Sequence, residues 1–463
     1  ARDITEAKQL QDELTRQATH DAMTGLPNRV LFLRKLSEAL ERSRTLKRGV
    51  TVLFVDLDKL KDVNDNIGHA VGDQLLNTIA KRLVSATRPS DIVARIGGDE
   101  FVVLCDGLGD EHVAMDVADR VRQAMTGQVI LQGIEIFTSA SIGIAMATPA
   151  LLAEESPNDA AVTLLRNADT AMYRAKSAGR NCIALFDDSM LESVTKRLDV
   201  ETALYRALER NELRLVHQPI VDIDLGIVIG FEALMRWDRK DAGTVSPLDF
   251  IPIAEETGTI VPLGSWAIND ALQQLRSWVD TSVCTPNTTM SVNVSPRQLH
   301  DPDFVTIVSN ALDASGVSPE QLWLEVTESV MITEPTQALS SLRRLNALGV
   351  RIAIDDFGTG YSSLSLLQKF PIQCIKIDRA FVNDISTDKA TQNIVRTIIA
   401  MADAMGADIV AEGVEDKTQL HTLKSVNCHR AQGYLISPPV DVQDVPRVVR
   451  EIQDPEAWAS NTN

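Results

Sequence analysis

The 463-residue chain is 44% apolar and 24% charged, a balance that excludes disorder on a large scale. It has no apolar run of the roughly 18 residues that a membrane-spanning helix needs, and no secretory leader is visible. The net charge of −19 excludes nonspecific nucleic-acid binding, because the long-range field repels phosphate; a nucleotide enzyme of this charge needs local cations to reverse the sign at its site.

Residues 4–18 pattern as a polar helix with a thin apolar seam, Ala7, Leu10 and Leu14, which suits either an exposed helix or a short coiled coil. A first domain is expected over 19–187. Within it, 50–55 reads as a buried strand ending in Asp56 and 73–86 as a helix. Residues 93–96 and 101–104 read as strands joined by a tight turn at Gly97-Gly98-Asp99-Glu100. Residues 136–145 read as one further strand and 161–177 as a helix. Hairpins among alternating elements favour an α+β sheet. Residues 188–211 contain no Gly or Pro and read as one helix, of which 188–204 would link the domains.

A second domain is expected over 205–450. Strand-like runs at 213–216, 229–234, 290–294, 322–326, 351–354, 374–377 and 409–411 alternate with helical stretches, the pattern of a single (β/α) barrel. The polar tail, 451–463, is expected to fray from Asp454. Cys105, Cys182, Cys284, Cys374 and Cys428 are scattered without a C-x-x-C pair. They fit free thiols in a reducing cytoplasm better than disulfides or zinc, so the domains are expected to be cytoplasmic. The chain opens at Ala1 rather than Met, as a fragment would, which leaves room for a membrane anchor upstream.

The strand ends of the second domain carry Glu232, Asn293, Glu325, Asp355, Asp356, Lys376, Asp378 and Glu412. Strand C-termini converge on one mouth of a barrel, where catalytic groups lie. So many carboxylates repel one another unless cations neutralise them, and oxygen ligands select Mg²⁺ or Mn²⁺. The neighbours Asp355 and Asp356 could serve two ions, a common device for hydrolysing phosphodiesters.

These residues also lie in a series of motifs. Glu232-Ala233-Leu234-Met235-Arg236-Trp237, Asn293-Val294-Ser295, Glu325-Val326-Thr327-Glu328 and Asp355-Asp356-Phe357-Gly358-Thr359-Gly360-Tyr361-Ser362-Ser363 come first. Ile375-Lys376-Ile377-Asp378, Glu412-Gly413-Val414-Glu415 and Gln432-Gly433-Tyr434 follow. In order and content the series resembles EAL-domain cyclic-di-GMP phosphodiesterases. The resemblance implies a TIM-barrel-like (β/α)8 fold and metal ligation by Glu232, Asn293, Glu325, Asp355, Asp356 and Glu412, with two ions per site. It implies that Lys376 orients the catalytic water or phosphate and that Gln218, Arg236, Asp378 and Gln432 contact substrate. Glu328 would anchor the 355–363 loop, whose Gly358 and Gly360 permit closure. His217 stands where an aromatic residue is frequent and reads as a packed strand histidine.

In the first domain, Asp56 and the Asp99-Glu100 turn fall on neighbouring strands, where carboxylates can hold Mg²⁺ for nucleotide phosphates. Asp21-Ala22-Met23-Thr24-Gly25-Leu26-Pro27-Asn28-Arg29, the run from Asp56 through Lys61, Asn64 and Asp65, then Gly68-His69 and Gly72-Asp73 follow in sequence. Arg95-Ile96-Gly97-Gly98-Asp99-Glu100-Phe101 and Ala175-Lys176-Ser177-Ala178-Gly179-Arg180-Asn181 complete the set. Together they resemble the GGDEF diguanylate cyclases, whose fold is nucleotidyl-cyclase-like. This implies one or two metal ions on Asp56 and Asp99, with Glu100 a metal or general-base residue. It implies guanine contacts from Asn64 and Asp73, and phosphate contacts from Lys61, Lys176 and Arg180. Leu60 departs from the usual Phe, a change of packing that would loosen the site. Arg88 and Asp91 stand at the family's offset for an inhibitory product site, and Arg2-Asp3-Ile4-Thr5 resembles the end of a PAS domain.

The resemblances imply synthesis of cyclic di-GMP from two GTP molecules across a homodimer, and its hydrolysis to pGpG by the barrel. A first domain that binds GTP only to regulate the phosphodiesterase is an alternative. A non-enzymatic cyclic-di-GMP receptor is another; it predicts missing metal carboxylates, and none is missing.

Overall fold

The structure, a computed structural model, describes residues 14–328, 330, 335–358, 367–454, 456 and 458. The chain divides into two compact units, Ala1–Lys196 and Arg197–Asn463. Of the N-terminal seam, Ala7 and Leu10 fall outside the described residues, as does the 2–5 stretch, and Leu14 is exposed. Among the described residues no helix is long and apolar enough to cross a membrane.

The first unit contains β1 (Val50–Leu57), β2 (Ile92–Gly97), β3 (Glu100–Asp106), β4 (Gly127–Leu131), β5 (Ile134–Thr138), β6 (Ala140–Met146) and β7 (Ile183–Leu185). Five of them form one sheet in the order β2-β3-β1-β6-β7, mostly antiparallel. β1 is buried along its whole length. Its side chains alternate, so Leu53, Val55 and Leu57 enter one core while Val52 and Phe54 enter the other. That explains why it reads as a continuous apolar run. Leu60 is buried in the first of these cores.

Residues 136–145 are not one strand. They divide at Ser139 between β5, which pairs only with β4, and β6, which joins the main sheet. Thr138 Oγ1 donates to Met125 O at 2.6 Å, and the Ser139 carbonyl accepts from Asp58 N at 3.0 Å. A change of hydrogen-bonding partner leaves no mark on apolar periodicity.

The helix expected over 188–211 spans Ser189–Leu204 and gives way to turns. Asn211 takes a left-handed conformation (φ 52°), a conformation Asn tolerates better than most residues.

The second unit contains β8 (Leu213–Asp222), β9 (Ile227–Arg239), β10 (Gly243–Val245), β11 (Thr289–Asn293), β12 (Leu322–Thr327), β13 (Arg351–Phe357), β14 (Cys374–Ile377), β15 (Asp408–Ala411), β16 (Arg430–Ala431) and β17 (Val440–Asp441). β9 and β11 to β16 follow one another in parallel, and β8 closes the ring between β16 and β9. The result is an eight-stranded barrel. β8 alone runs against the other seven. Its reversal follows from the turn that joins it to β9. Asp222 Oδ1 accepts from Asp224 N and Leu225 N, Gly226 supplies φ 64°, and so short a connection can join only antiparallel strands. The tail does not simply fray at Asp454. Trp458 packs over Gly226, and its N–H donates to Asp454 O at 2.8 Å.

Ile220, Trp323, Ala353, Cys374 and Val410 form an apolar floor inside the barrel. Strand side chains repeat every second residue. The next inward position is therefore Glu325 after Trp323, Asp355 after Ala353, Lys376 after Cys374 and Glu412 after Val410. On the reversed β8 the inward neighbour precedes the floor residue, and it is Gln218 before Ile220.

Candidate functional site

Above that floor Lys376 is almost fully enclosed, 1% exposed. Its Nζ lies 2.5 Å from Glu412 Oε1, 2.6 Å from Glu325 Oε2, 3.3 Å from Glu232 Oε2 and 3.4 Å from Asp355 Oδ1. Burial works against the ammonium charge, but the four carboxylates overcome it and hold Lys376 well above its usual range. Glu232 is held below the usual range despite its burial, because Lys376, Gln432 and Asn293 all favour its charged form. Burial pushes Glu325 well up, with the Glu232 charge adding to it, and pushes Glu412 up to about 8. One ammonium cannot balance this many carboxylates.

Asn293 Nδ2 donates to Glu232 Oε1 at 2.7 Å, and Gln432 Nε2 donates to Glu232 Oε2 at 2.5 Å and to Gln218 Oε1 at 2.9 Å. Gln218 Nε2 in turn donates to Ser437 O at 3.0 Å. Asp355 and Asp356 are sequence neighbours, which in a regular strand would face opposite ways. A register shift between Ile354 and Phe357, with Asp356 at φ 53°, breaks that rule. As a result, oxygen atoms of Asp355, Asp356 and Glu412 lie within 4.8 Å of one another. Burial, then the Asp355 charge, pushes Asp356 up to about 6. Asp355 Oδ1 is buried and, among the described residues, has only the Lys376 ammonium at 3.4 Å and no hydrogen-bond donor. Crowded carboxylates that share a single ammonium are the donor set that a hard divalent cation fits.

The remaining expected residues surround this centre. Asp378 caps the helix Arg379–Asn383 through Ala380 N at 2.7 Å and hydrogen-bonds Asp356. Glu328 accepts from Gly358 N at 3.1 Å, while 359–366, including Gly360, fall outside the described residues. Arg236 lines a cleft of about 440 Å³ that opens beside Asn293, Asp355 and Asp356. His217 lies outside the site: it is buried, its ring nitrogens have no hydrogen-bond partner among the described residues, and it packs edge-on to Trp278 at 4.8 Å.

In the first unit, strand register sets Asp56 opposite Glu100, and Leu57 N donates to Asp99 O at 3.2 Å. Lys176 Nζ lies 2.7 Å from Asp56 Oδ2. Burial, with Asp99 and Asp58 adding repulsion against the pull of Lys176, pushes Asp56 up to about 6. Glu100 is raised by burial and by Asp169 and Asp99. Asn64 Oδ1 is buried with no hydrogen-bond partner among the described residues, and a Cβ on Gly72 would collide with it. Lys61, Asp73 and Arg180 are exposed. Arg88 N donates to Asp91 Oδ2 at 2.9 Å, closing a surface turn with the Arg88 side chain exposed.

Two residues were not assigned roles from sequence. Asp58 accepts from Ser139 Oγ (2.7 Å), Ser141 Oγ (2.8 Å) and Asn181 N (3.2 Å), which spends it on structure. Arg95 donates to Gly98 O (2.7 and 3.1 Å) and pairs with Asp21 at 3.0 Å, clamping the Gly97–Glu100 turn to the opening motif. Their positions within the quoted motifs were the only signal.

Comparison with protein families matches residues 201–439 to the EAL domain and 18–182 to the diguanylate cyclase, GGDEF domain. The bifunctional diguanylate cyclase/cyclic di-GMP phosphodiesterase MucR of Pseudomonas aeruginosa is 39% identical over 94% of this chain and 62% of its own length. The cyclic di-GMP phosphodiesterase PdeR of Escherichia coli is 38% identical over 95% of this chain and 64% of its own. The chain thus spans about half to two thirds of the length of the curated relatives it matches. Among solved structures, the PaMucR phosphodiesterase in complex with c-di-GMP shares 39% identity, with a TM-score of 0.51, over 53% of this chain and 99% of that one. The S helix-GGDEF-EAL portion of Vibrio cholerae LapD, at 21% identity and a TM-score of 0.58, shares the fold over 93% of this chain and 99% of that one.

Proposed function

Because this chain belongs to the EAL-domain family and carries a GGDEF domain ahead of its barrel, we propose that it both hydrolyses and synthesises cyclic di-GMP. The hydrolytic half rests on one observation: four carboxylates, the buried Glu232 and Glu325 and the half-buried Asp355 and Glu412, converge within 3.4 Å of a single ammonium, Lys376. Glu232, Asn293, Glu325, Asp355, Asp356 and Glu412 would hold two Mg²⁺ or Mn²⁺ ions. Such ions, when bound, supply charge at the scissile phosphate and acidify water. Lys376 orients the phosphate or the attacking water, its charge secured by the same carboxylates. The Gln218–Gln432 pair presents amides to the ligand and fixes Glu232. Arg236 brings positive charge to the cleft that a chain of net charge −19 requires for an anionic substrate. Asp378 acts beside Asp356, and Glu328 anchors the 355–363 loop through Gly358. The product is linear pGpG.

In the first unit Asp56 and Asp99 would hold one or two ions, and Glu100 serves as ligand or base. Lys61, Lys176 and Arg180 neutralise phosphates, while Asn64 and Asp73 read guanine. Two GTP-loaded copies must meet for each 3′-hydroxyl to attack the other's α-phosphate and expel pyrophosphate, which makes a homodimer part of the reaction. Arg88 and Asp91 would bind product and inhibit. A regulatory, GTP-binding first domain is the second reading, favoured because PdeR, about as similar as MucR, is named a phosphodiesterase alone.

The test is to incubate the protein with Mg²⁺ and cyclic di-GMP, with and without GTP, and follow pGpG by chromatography. No pGpG under any condition would overturn the hydrolytic reading. Glu232→Ala should abolish pGpG formation and, given GTP, should accumulate cyclic di-GMP; absence of that product, with GTP speeding hydrolysis of supplied cyclic di-GMP by the unaltered chain, would favour the regulatory reading.

A further inference from the structure

One wall of the cleft is the helix Pro247–Thr257, which turns Pro247, Leu248, Ile251, Pro252 and Glu255 toward the cavity. The spacing is that of a single helical face. Four members of the face are apolar, and the fifth is a carboxylate. Among the described residues no cation or hydrogen-bond donor serves the Glu255 side chain. Arg297 spends its Nη1 on the Glu255 and Glu256 carbonyls, and the Glu256 carboxylate is paired with Arg197. Burial raises Glu255, and the neighbouring Glu256 charge adds to the effect. The position is also unfavourable for helix stability, because an anion in the last turn faces the negative end of the helix dipole. Neither packing nor capping accounts for a carboxylate here.

The far side of the same cavity carries Asn293, Asp355 and Asp356. A ligand that reaches from there to Glu255 must end in hydrogen-bond donors. Resting on the hydrolytic reading above, we propose that Glu255 selects the base of the substrate, accepting from the N1–H and exocyclic amine of guanine. Guanine alone among the common bases places two donors side by side, and a carboxylate accepts such a pair through both oxygens. Adenine sets a ring acceptor beside its amine, which Glu255 repels. Hypoxanthine keeps N1–H and loses the amine, so it isolates half of the contact.

Binding and turnover are measured separately on the intact chain. Binding of cyclic di-GMP and cyclic di-IMP is followed by calorimetry in Ca²⁺, and pGpG or pIpI release is followed in Mn²⁺. The wild type should bind cyclic di-GMP at least about tenfold more tightly than cyclic di-IMP, and Glu255→Gln should narrow that ratio to within about threefold. Glu255→Leu should lose the preference yet melt at or above the wild-type temperature. Equal wild-type affinities, a preference that survives in Glu255→Gln, or a marked fall in the melting temperature of Glu255→Leu would each overturn the assignment. Preference in binding without any turnover would sink the hydrolytic reading and keep Glu255 as the base reader. Turnover without preference would do the reverse.

Discussion

Replacing Lys376 with Met should turn the barrel's stability into a function of divalent cation. The ammonium is 1% exposed and lies 2.5 to 3.4 Å from four carboxylates, so removing it leaves their negative charge without a counter-charge. Breaking a buried ion pair from one side costs about 3–5 kcal/mol. The loss should stay near that range rather than multiply by four, since Glu412, already pushed up to about 8, takes a proton when the ammonium goes. At roughly 2–4 °C per kcal/mol for a domain of this size, the melting temperature in EDTA should fall by about 10 °C. All five tryptophans, Trp237, Trp266, Trp278, Trp323 and Trp458, belong to the second unit, so intrinsic fluorescence follows the barrel alone. Mn²⁺ should recover most of the loss, because a cation on Asp355, Asp356 and Glu412 replaces the missing charge. A variant that melts with the wild type in EDTA, or one that Mn²⁺ leaves unmoved, would refute this electrostatic picture.

Other consequences are as direct. His217 is lowered to about 4 by burial alone, so its neutral form supports the fold above the unfolded value of 6.5, and this support is lost as pH falls from there toward 4. The difference amounts to about 3 kcal/mol; His217→Phe should flatten the acid limb of barrel melting, and parallel acid limbs in both proteins would remove His217 from the explanation. Gly72→Ala should weaken GTP binding by about tenfold while the helix His69–Ala86 survives, because the new methyl displaces Asn64; titration with a non-hydrolysable GTP analogue decides it, and unchanged affinity would free Asn64 from guanine recognition. Arg95→Met should raise amide hydrogen exchange across residues 97–100 by at least about tenfold, since the Gly98 carbonyl loses its donor and Asp21 its cation. An unchanged exchange rate would mean the turn holds itself.

The legibility of the site follows from strand geometry. Trp323 and Glu325, Ala353 and Asp355, Cys374 and Lys376 are each two residues apart on apolar strands, so the acid or amine lands beside the others as soon as a barrel is inferred. Two features escaped that logic. Seven strands are visible as apolar runs, but β16 is two residues long and carries too little pattern to register. The bulge that brings Asp356 round to Asp355 is a backbone event; Asp tolerates the left-handed conformation better than most residues, but nothing in the local pattern marks this Asp as the one that adopts it. In the first unit the split at Ser139 was hidden because β5 and β6 are both strand-like and only their partners differ. Arg95 lay within a recognised motif, yet its function depends on Asp21, 74 positions earlier, a contact that no local pattern encodes. Glu255 was passed over because one acid in a helix's last turn looks like solvated surface until its cavity is seen.

Diffraction from crystals soaked in Mn²⁺, recorded for its anomalous signal, addresses the metal centre without relying on turnover. Density between Asp355, Asp356 and Glu412 is the predicted result, with a second peak toward Glu232 and Glu325 as Lys376 gives ground. A clean map there, with manganese bound at other surfaces or nowhere, would contradict the account.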